Sequence, residues 1–261
     1  MPYAWPMNSV QFSRRHLVAL VPTALVAADS EPLAPTFPTQ SPELAKEMVG
    51  VSHGKIDRVR ELLALHPSLA KAAWDWGFGD WETALGAASH VGNREIAELL
   101  LATGATPTLF SAAMLGHLDT VRAMLAAQPG LQRTRGPHSI PLLAHARAGG
   151  KQAEPVLRYL ESLGDAGSPP ASPLTEAEAS ALGGTYRFGP GQTESIEIRA
   201  NKNQLGFLRQ GTDLRGLIHL GEHVFHPAGA EAVRIRFAGA DGATVLTVHD
   251  PSVVLTATKS R

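Results

Sequence analysis

Three histidines and a carboxylate lie close together in the C-terminal third of the chain and have the residue types of a zinc site. They are His219, His223 and His226, with Glu222 between them. Imidazole nitrogens and carboxylate oxygens bind Zn²⁺ when they converge on one point. Along a single strand, however, His219 and His223 share one face and His226 points away. We therefore expect no metal and no cofactor, unless a bend at Gly221 brings the three rings together.

No other residues form a catalytic set by their spacing. A Ser-x-x-Lys pattern, in which lysine helps to activate serine, occurs at Ser68 and Lys71, but the chain contains no Lys-Thr-Gly partner motif. The remaining histidines of interest lie near predicted helix ends and turns, where capping or packing accounts for them: His53, His90, His117, His138 and His145. We therefore expect that the protein is not an enzyme.

An aromatic segment is the best candidate for a binding site. Residues 74–81 read Trp-Asp-Trp-Gly-Phe-Gly-Asp-Trp and hold three of the four tryptophans. Large rings bury much area at a small entropic cost, so exposed rings here would anchor a partner. The alternative is that they pack under the C-terminal domain or over the first helices. The candidate partner-binding residues are Trp74, Trp76, Phe78 and Trp81.

The aromatic segment lies within a repetitive region, residues 43–165. Each of its four units centres on one glycine: Gly54, Gly92, Gly116 and Gly150. A glycine between two helices readily takes the left-handed conformation that ends the first. The second helix of each unit carries apolar residues three and four positions apart, which form one stripe. A single helical hairpin cannot bury such a stripe, so we expect the units to stack.

The clearest unit resembles the ankyrin repeat family, whose signature begins Thr-Pro-Leu-His-x-Ala. It keeps Thr83, Leu85, Ala88 and Gly92. Ala84 and Gly86 stand where proline and histidine are usual in the family. The resemblance implies an ankyrin-like helical-hairpin solenoid of four units, with the aromatic segment on a finger beside a concave binding face. It also implies a protein or peptide partner.

A change of hydrophobic period marks a second domain. Residues 166–174 form a linker, and from residue 175 to 261 apolar and polar residues alternate, as Ile196 and Ile198 do with Glu197 and Arg199. A period of two predicts strands with one buried face. Glycine- and proline-rich turns between these strands predict a small antiparallel β-barrel or sandwich. The predicted fold class is therefore multidomain, α plus all-β.

This second domain offers two alternative functions. The run that begins Leu182, Gly183 and Gly184 resembles the small β domain appended to penicillin-binding-protein-like serine hydrolases. The resemblance implies an accessory or regulatory protein of a hydrolase. A lipocalin-like barrel would instead enclose a small ligand. A filled barrel interior would favour the interaction module over this ligand-binding alternative.

The N-terminal residues resemble an export signal. Ser13, Arg14 and Arg15 precede a short apolar run, residues 17–28, that ends in small residues. This order is typical of a twin-arginine signal. We therefore expect an export signal over residues 1–28, a proline-rich tether over residues 29–42, and a bacterial protein that is periplasmic or secreted. If this interpretation is wrong, the protein is cytoplasmic.

Composition and charge narrow the classes of partner. The chain has 261 residues, of which 44% are hydrophobic and 18% are charged, as in globular proteins. The net charge of −1 gives no attraction for nucleic acid. No stretch reaches the roughly 20 apolar residues of a spanning helix, so we expect no integral membrane segment in the mature chain. The leading hypothesis is a non-catalytic, exported protein–protein interaction module.

Overall fold

The structure is a computed structural model that describes residues 39–168, 171–239, 245–251 and 253–260. The predicted export signal and the tether up to residue 38 lie outside the described residues. Residues Gln40–Arg261 form one compact unit. In the described ranges, no helix has the length and apolar character needed to cross a membrane.

Four consecutive helix pairs make up the first part of this unit. They are α1 (Pro42–Val51) with α2 (Ile56–Leu65), α3 (Ala84–His90) with α4 (Arg94–Ala102), α5 (Leu109–Leu115) with α6 (Leu118–Ala127), and α7 (Leu142–Ala148) with α8 (Glu154–Leu163). The first helices of successive pairs pack against one another, and α7 also contacts α3. The row of pairs is therefore bent, so that segments far apart in sequence come close.

Glycines allow neighbouring pairs to approach closely. Gly92 and Gly116 have φ values of 75° and 79°, in the left-handed region that favours glycine. A Cβ on Gly92 would lie 2.2 Å from the Ala148 carbonyl oxygen, and one on Gly116 would lie 2.3 Å from that of Gln152. Gly54 was expected to behave in the same way, but its φ lies outside the left-handed region.

The apolar stripe predicted on the second helices is buried at most positions. Val59 and Leu62 in α2, and Val121 and Leu125 in α6, are at most 7% exposed. Met124, three residues after Val121, follows the spacing that predicts a buried position, but it is 37% exposed, so the prediction is wrong there. Val121 and Leu125 lie one turn apart and take the inward positions, which leaves Met124 at the edge of the stripe.

A short hairpin connects the first two helix pairs. Its strands are β1 (Ala73–Asp75) and β2 (Trp81–Thr83), which pair in antiparallel fashion. Side chains alternate across a strand, so Asp80 and Glu82 are buried while Trp81 between them is exposed. This alternation turns two carboxylates toward the helices and the tryptophan toward solvent.

The C-terminal part is a closed antiparallel barrel. The sequence predicts either a barrel or a sandwich, and the structure has the barrel. Its strands are β3 (Gly184–Phe188), β4 (Glu194–Asn201), β5 (Gln204–Arg209), β6 (Arg215–Gly221), β7 (Val224–Pro227), β8 (Arg234–Ala238), β9 (Val245–Asp250) and β10 (Val253–Lys259). Neighbours follow chain order, and β10 closes the barrel on β3. The rings of Tyr186, Phe225 and Phe237 pack inside it, with centroids 5.5–5.7 Å apart.

A helix precedes the barrel where strands were predicted. This helix, α9 (Glu176–Leu182), begins with a capping box in which Thr175 and Glu178 satisfy each other's backbone N–H groups. Ala179 and Leu182 are buried in the barrel core. The capping box, a local signal, therefore outweighs the strand pattern of the surrounding sequence.

Candidate metal centre

Three histidines and a glutamate converge between the helix pairs. They are His53, Glu82, His90 and His138, and each offers one ligand atom that lies within 4.8 Å of the other three. His53 follows α1, Glu82 lies in β2 and His90 ends α3, while His138 lies in the turn Pro137–Ser139 before α7. Four separate segments thus supply one cluster, which we call the His–Glu cluster.

The neighbouring positions of His53 and His90 follow from the packing of their helices. Helices α1 and α3 pack side by side. His90 is the last residue of α3, and His53 comes two residues after the end of α1. The two ring centroids are therefore 5.0 Å apart.

His138 lies in a turn whose backbone is strained. The φ values of His138 and Ser139 are 58° and 60°, a conformation that costs a non-glycine residue about 1–3 kcal/mol. The His138 N–H donates to Asp80 Oδ1 at 2.9 Å. The Ser139 hydroxyl donates to Glu231 at 2.6 Å and accepts from the Gly229 N–H at 2.7 Å. Contacts with both the hairpin and the barrel therefore hold the strained turn in place.

The separations within the His–Glu cluster match those of ligands on one ion. His53 Nε2 and His90 Nε2 are 3.1 Å apart. His90 Nε2 lies 3.0 Å from Glu82 Oε1, and His53 Nε2 and His138 Nε2 lie 3.6 Å and 3.5 Å from Glu82 Oε2. A tetrahedral zinc ion with bonds of about 2.0–2.1 Å holds its ligand atoms about 3.3 Å apart. The separations measured to the two Glu82 oxygens are close to this value, and the donor atoms of all four residues lie within 4.8 Å of one another.

The outer ring nitrogens of two histidines have the partners expected of metal ligands. His53 Nδ1 lies 3.0 Å from the Gly50 carbonyl oxygen, and His138 Nδ1 lies 2.7 Å from Asp80 Oδ2. Ligating histidines usually donate their second N–H to a carbonyl or carboxylate oxygen, which fixes the ring. In a neutral imidazole, a proton on Nδ1 leaves the Nε2 lone pair free, directed into the cluster.

One oxygen of the cluster has no hydrogen-bond partner. The Glu82 side chain is 0% exposed, and its Oε2 accepts from Trp76 Nε1 at 2.8 Å. Among the described residues, Glu82 Oε1 makes no hydrogen bond; His90 Nε2 is near it but outside hydrogen-bond geometry. A buried carboxylate oxygen without a partner is costly. Coordination to a cation would satisfy it.

The carboxylates of this region are ionised. Burial raises the pKa of Glu82, but the surrounding histidines, His138 foremost, outweigh burial and bring the pKa to about 2. Burial also raises the pKa of Asp80, and hydrogen bonds from the His138 side chain and backbone bring it below its usual value. Hydrogen bonds to Asp80 and then Glu82 raise the pKa of His138 to about 9. Without a metal, the Arg215 and His138 cations balance these two carboxylates, so an ion that binds His138 Nε2 would displace the proton there.

The barrel holds Asp80 in position. Arg215, the first residue of β6, donates to Asp80 Oδ2 at 3.0 Å, and the two side chains are only 12% and 2% exposed. The same guanidinium donates to the carbonyl oxygens of Trp76 at 2.6 Å and Ala228 at 3.0 Å. The acid that orients His138 is therefore fixed by a residue of the barrel.

The histidines singled out from the sequence do not come together in one group. His219 Nδ1 lies 3.0 Å from the Pro173 carbonyl oxygen. His223 Nε2 lies 4.0 Å from Glu178 Oε1, and the buried His226 has its Nδ1 2.9 Å from the carbonyl oxygen of the next residue. Each ring therefore has its own separate partner.

Three rings of the aromatic segment are partly buried, and the fourth lies at the surface. Trp74 and Trp76 are partly buried against the helical core. Phe78 packs against the barrel, with its ring centroid 5.9 Å from that of Phe207. Trp81 is 64% exposed. Of the four candidate partner-binding residues, Trp81 alone presents most of its surface to solvent.

The sequence predicts only capping or packing roles for His53, His90 and His138. One local signal points to the His–Glu cluster, the alternation that places Asp80 and Glu82 on the same side of the hairpin. Nothing local identifies His138, whose position depends on the bend of the helix row.

Three imidazole nitrogens and one carboxylate oxygen suit Zn²⁺, and also Co²⁺, Ni²⁺, Cu²⁺ and Fe²⁺. The chain has no cysteine, so thiolate ligation does not arise. No protein-family model matches this sequence, and a search of curated proteins finds no significant match.

Proposed function

We propose that this chain is a metal-binding protein with one site for a divalent transition-metal ion, formed by His53, Glu82, His90 and His138. The observation that carries the proposal is the convergence of these four side chains, whose donor atoms lie within 4.8 Å of one another around a buried Glu82 carboxylate with one oxygen that makes no hydrogen bond. Zinc is the reference ion because it favours four nitrogen and oxygen ligands in this geometry. Here the proposal departs from the sequence-based expectation of no metal and no cofactor.

The ion would join segments that the fold brings together from a distance. Its ligands belong to the end of α1, the hairpin, the end of α3 and the turn at His138. Asp80 and Arg215 extend these contacts to the barrel. An ion that binds only the folded chain stabilises it, by about 2.7 kcal/mol at a free concentration of 100 times Kd. The expected role therefore includes stabilisation of the contact between the two domains.

Calorimetric titration of the chelator-treated full chain with zinc chloride tests this proposal. We expect one ion per chain and a rise in the temperature of unfolding. The variants Glu82→Gln and His53→Ala should lose most of this affinity, because each removes one ligand. His117→Ala is the matched control, since His117 is exposed and outside the cluster. A folded chain that takes up no zinc, or equal uptake by the wild type and both ligand variants, would contradict the proposal.

A second function is favoured by the exposure of Trp81 at 64% on the hairpin. We infer that the helix pairs form an ankyrin-like stack that binds a protein or peptide partner next to this ring, in an exported protein. The packed rings of Tyr186, Phe225 and Phe237 support this module over a small ligand inside the barrel. Affinity capture with the wild type and with Trp81→Ala tests it, because partner recovery should fall in the variant.

A further inference from the structure

We propose that the barrel binds a small aromatic amine in an apolar pocket at one of its ends. The pocket has a volume of about 230 Å³. It contains none of the residues of the His–Glu cluster, so this inference is independent of the proposed metal site. The pocket is also separate from the filled part of the barrel interior, because Tyr186, Phe225 and Phe237 do not line it.

The strand order places this pocket at one end of the barrel. Successive strands are antiparallel, so the last residues of β3, β5 and β9 lie at the same end as the first residue of β10. Phe188, Arg209 and Asp250 end three of these strands, and Val253 begins β10. All four residues line the pocket, which therefore lies where the strands end.

The walls of the pocket are mostly apolar. Three phenylalanines and three aliphatic residues form them: Phe78, Phe188, Phe207, Ile196, Val248 and Leu255. A dry apolar cavity of about 150 Å³ is large enough for benzene, so this pocket has room for one aromatic ring with a short substituent. Aromatic rings favour edge-to-face and offset contacts with one another. The size and the walls of the pocket therefore favour an aromatic ligand.

Phe78 belongs to the hairpin and lines the pocket in a strained conformation. Its φ is 58°, between Gly77 at 111° and Gly79 at 77°. Its ring packs against Phe207, yet the residue remains partly exposed. Residues with strained backbone cluster at ligand-binding sites. A ligand in the pocket would cover more of this ring and remove apolar surface from water.

One negative charge at the pocket lacks a partner. Asp250 is partly exposed and, among the described residues, forms no ion pair and no side-chain hydrogen bond. Arg209 also lines the pocket, but it is paired with Glu194 at 2.7 Å. The unpaired charge is therefore negative, and a cationic group on the ligand would complement it. A primary ammonium has three N–H donors for such a carboxylate.

An NMR titration of the full chain at neutral pH with benzylamine, benzyl alcohol and benzoate tests the inference. The three probes share one ring and differ in charge. Benzylamine, the cationic probe, should bind saturably and about tenfold more tightly than benzyl alcohol, the lower end of the range for hydrogen bonds to charged groups, because Asp250 is partly exposed. Benzoate should bind most weakly. If benzylamine does not bind, or if benzoate binds more tightly, the inference is wrong.

Asp250→Asn shows whether the charge recognises the amine. It should weaken benzylamine binding about tenfold and leave benzyl alcohol binding unchanged, which also shows that the variant is folded. Asp213→Asn is the matched control, since Asp213 is exposed and does not line the pocket. Equal benzylamine affinity in Asp250→Asn and the wild type, or an equal loss for both probes, would overturn the inference.

Two neighbouring valines show whether the ligand binds in this pocket. Val253 and Val254 are 58% and 64% exposed, so the fold accommodates a larger side chain at either position. Side chains alternate across a strand, and only Val253 lines the pocket. Val253→Phe should weaken the binding of benzylamine and of benzyl alcohol by about tenfold, because it takes up space in the pocket. Val254→Phe should change neither affinity. Equal affinities in the two variants would place the ligand elsewhere and contradict the inference.

Discussion

Asp80 Oδ2 lies 2.7 Å from Nδ1 of His138 and at the same time 3.0 Å from the guanidinium of Arg215. One buried carboxylate therefore connects a proposed metal ligand of the helical part with the first residue of a barrel strand. The proposed metal site and the contact between the helical part and the barrel thus depend on the same side chain.

Asp80→Asn should weaken zinc binding by about 10–100-fold, the usual cost of losing the partner of a ligating histidine. An amide can still contact His138, but it no longer attracts the Nδ1 proton as a carboxylate does. Calorimetric titration with zinc measures the change. Asp57→Asn serves as control, because the Asp57 side chain is 90% exposed on α2. An unchanged Kd in Asp80→Asn would show that this contact does not support the metal site.

Arg215→Met should lower the free energy of unfolding by about 1.5–3 kcal/mol, because it removes one of the two cationic partners of the buried Asp80 carboxylate and leaves His138. Urea denaturation of the metal-free chain measures this directly. Arg199→Met is the comparison, since Arg199 and Glu197 form an exposed pair with side chains 52% and 45% exposed. Such a pair contributes at most about 1 kcal/mol. Equal effects of the two substitutions would contradict a role for Arg215 in joining the domains.

Gly229→Ala should weaken the contact between the barrel and the hairpin. A Cβ on Gly229 would lie 2.1–2.4 Å from the Asp80 carboxylate, and its φ of 81° is strained for alanine. We expect a loss of more than about 1 kcal/mol in the free energy of unfolding. Gly216→Ala is the matched control, because nothing lies within 4 Å of its added Cβ. If urea denaturation shows no difference between these variants, the close approach of Gly229 to Asp80 is not required.

Trp81→Ala should leave stability within about 0.5 kcal/mol of the wild type, because its ring is largely in solvent. Trp76→Ala should cost about 3 kcal/mol, since it removes a partly buried ring and the hydrogen bond to Glu82. If Trp81 anchors a partner, its loss should weaken binding by about 2 kcal/mol. Urea denaturation and affinity measurement with a captured partner separate the two effects. A large loss of stability in Trp81→Ala would mean that the ring packs within the fold.

The sequence by itself determined the elements that have a regular local period. Spacings of three and four residues predicted the buried positions of Val59 and Leu62, and the alternation around Ile196 and Ile198 predicted β4. These patterns are readable because a helix or strand repeats its geometry over a few residues. The same reasoning missed α9, whose capping box is short and lies within a strand-like region.

The tertiary structure alone decided where the proposed metal site lies. Contact between α3 and α7 bends the helix row, and the turn at His138 becomes stable only where Asp80 and the barrel hold it. A metal site requires donor atoms a few ångströms apart from segments distant in sequence. Their convergence depends on how complete elements pack, because no local period records the distance between one helix end and a turn some fifty residues away (His90 and His138).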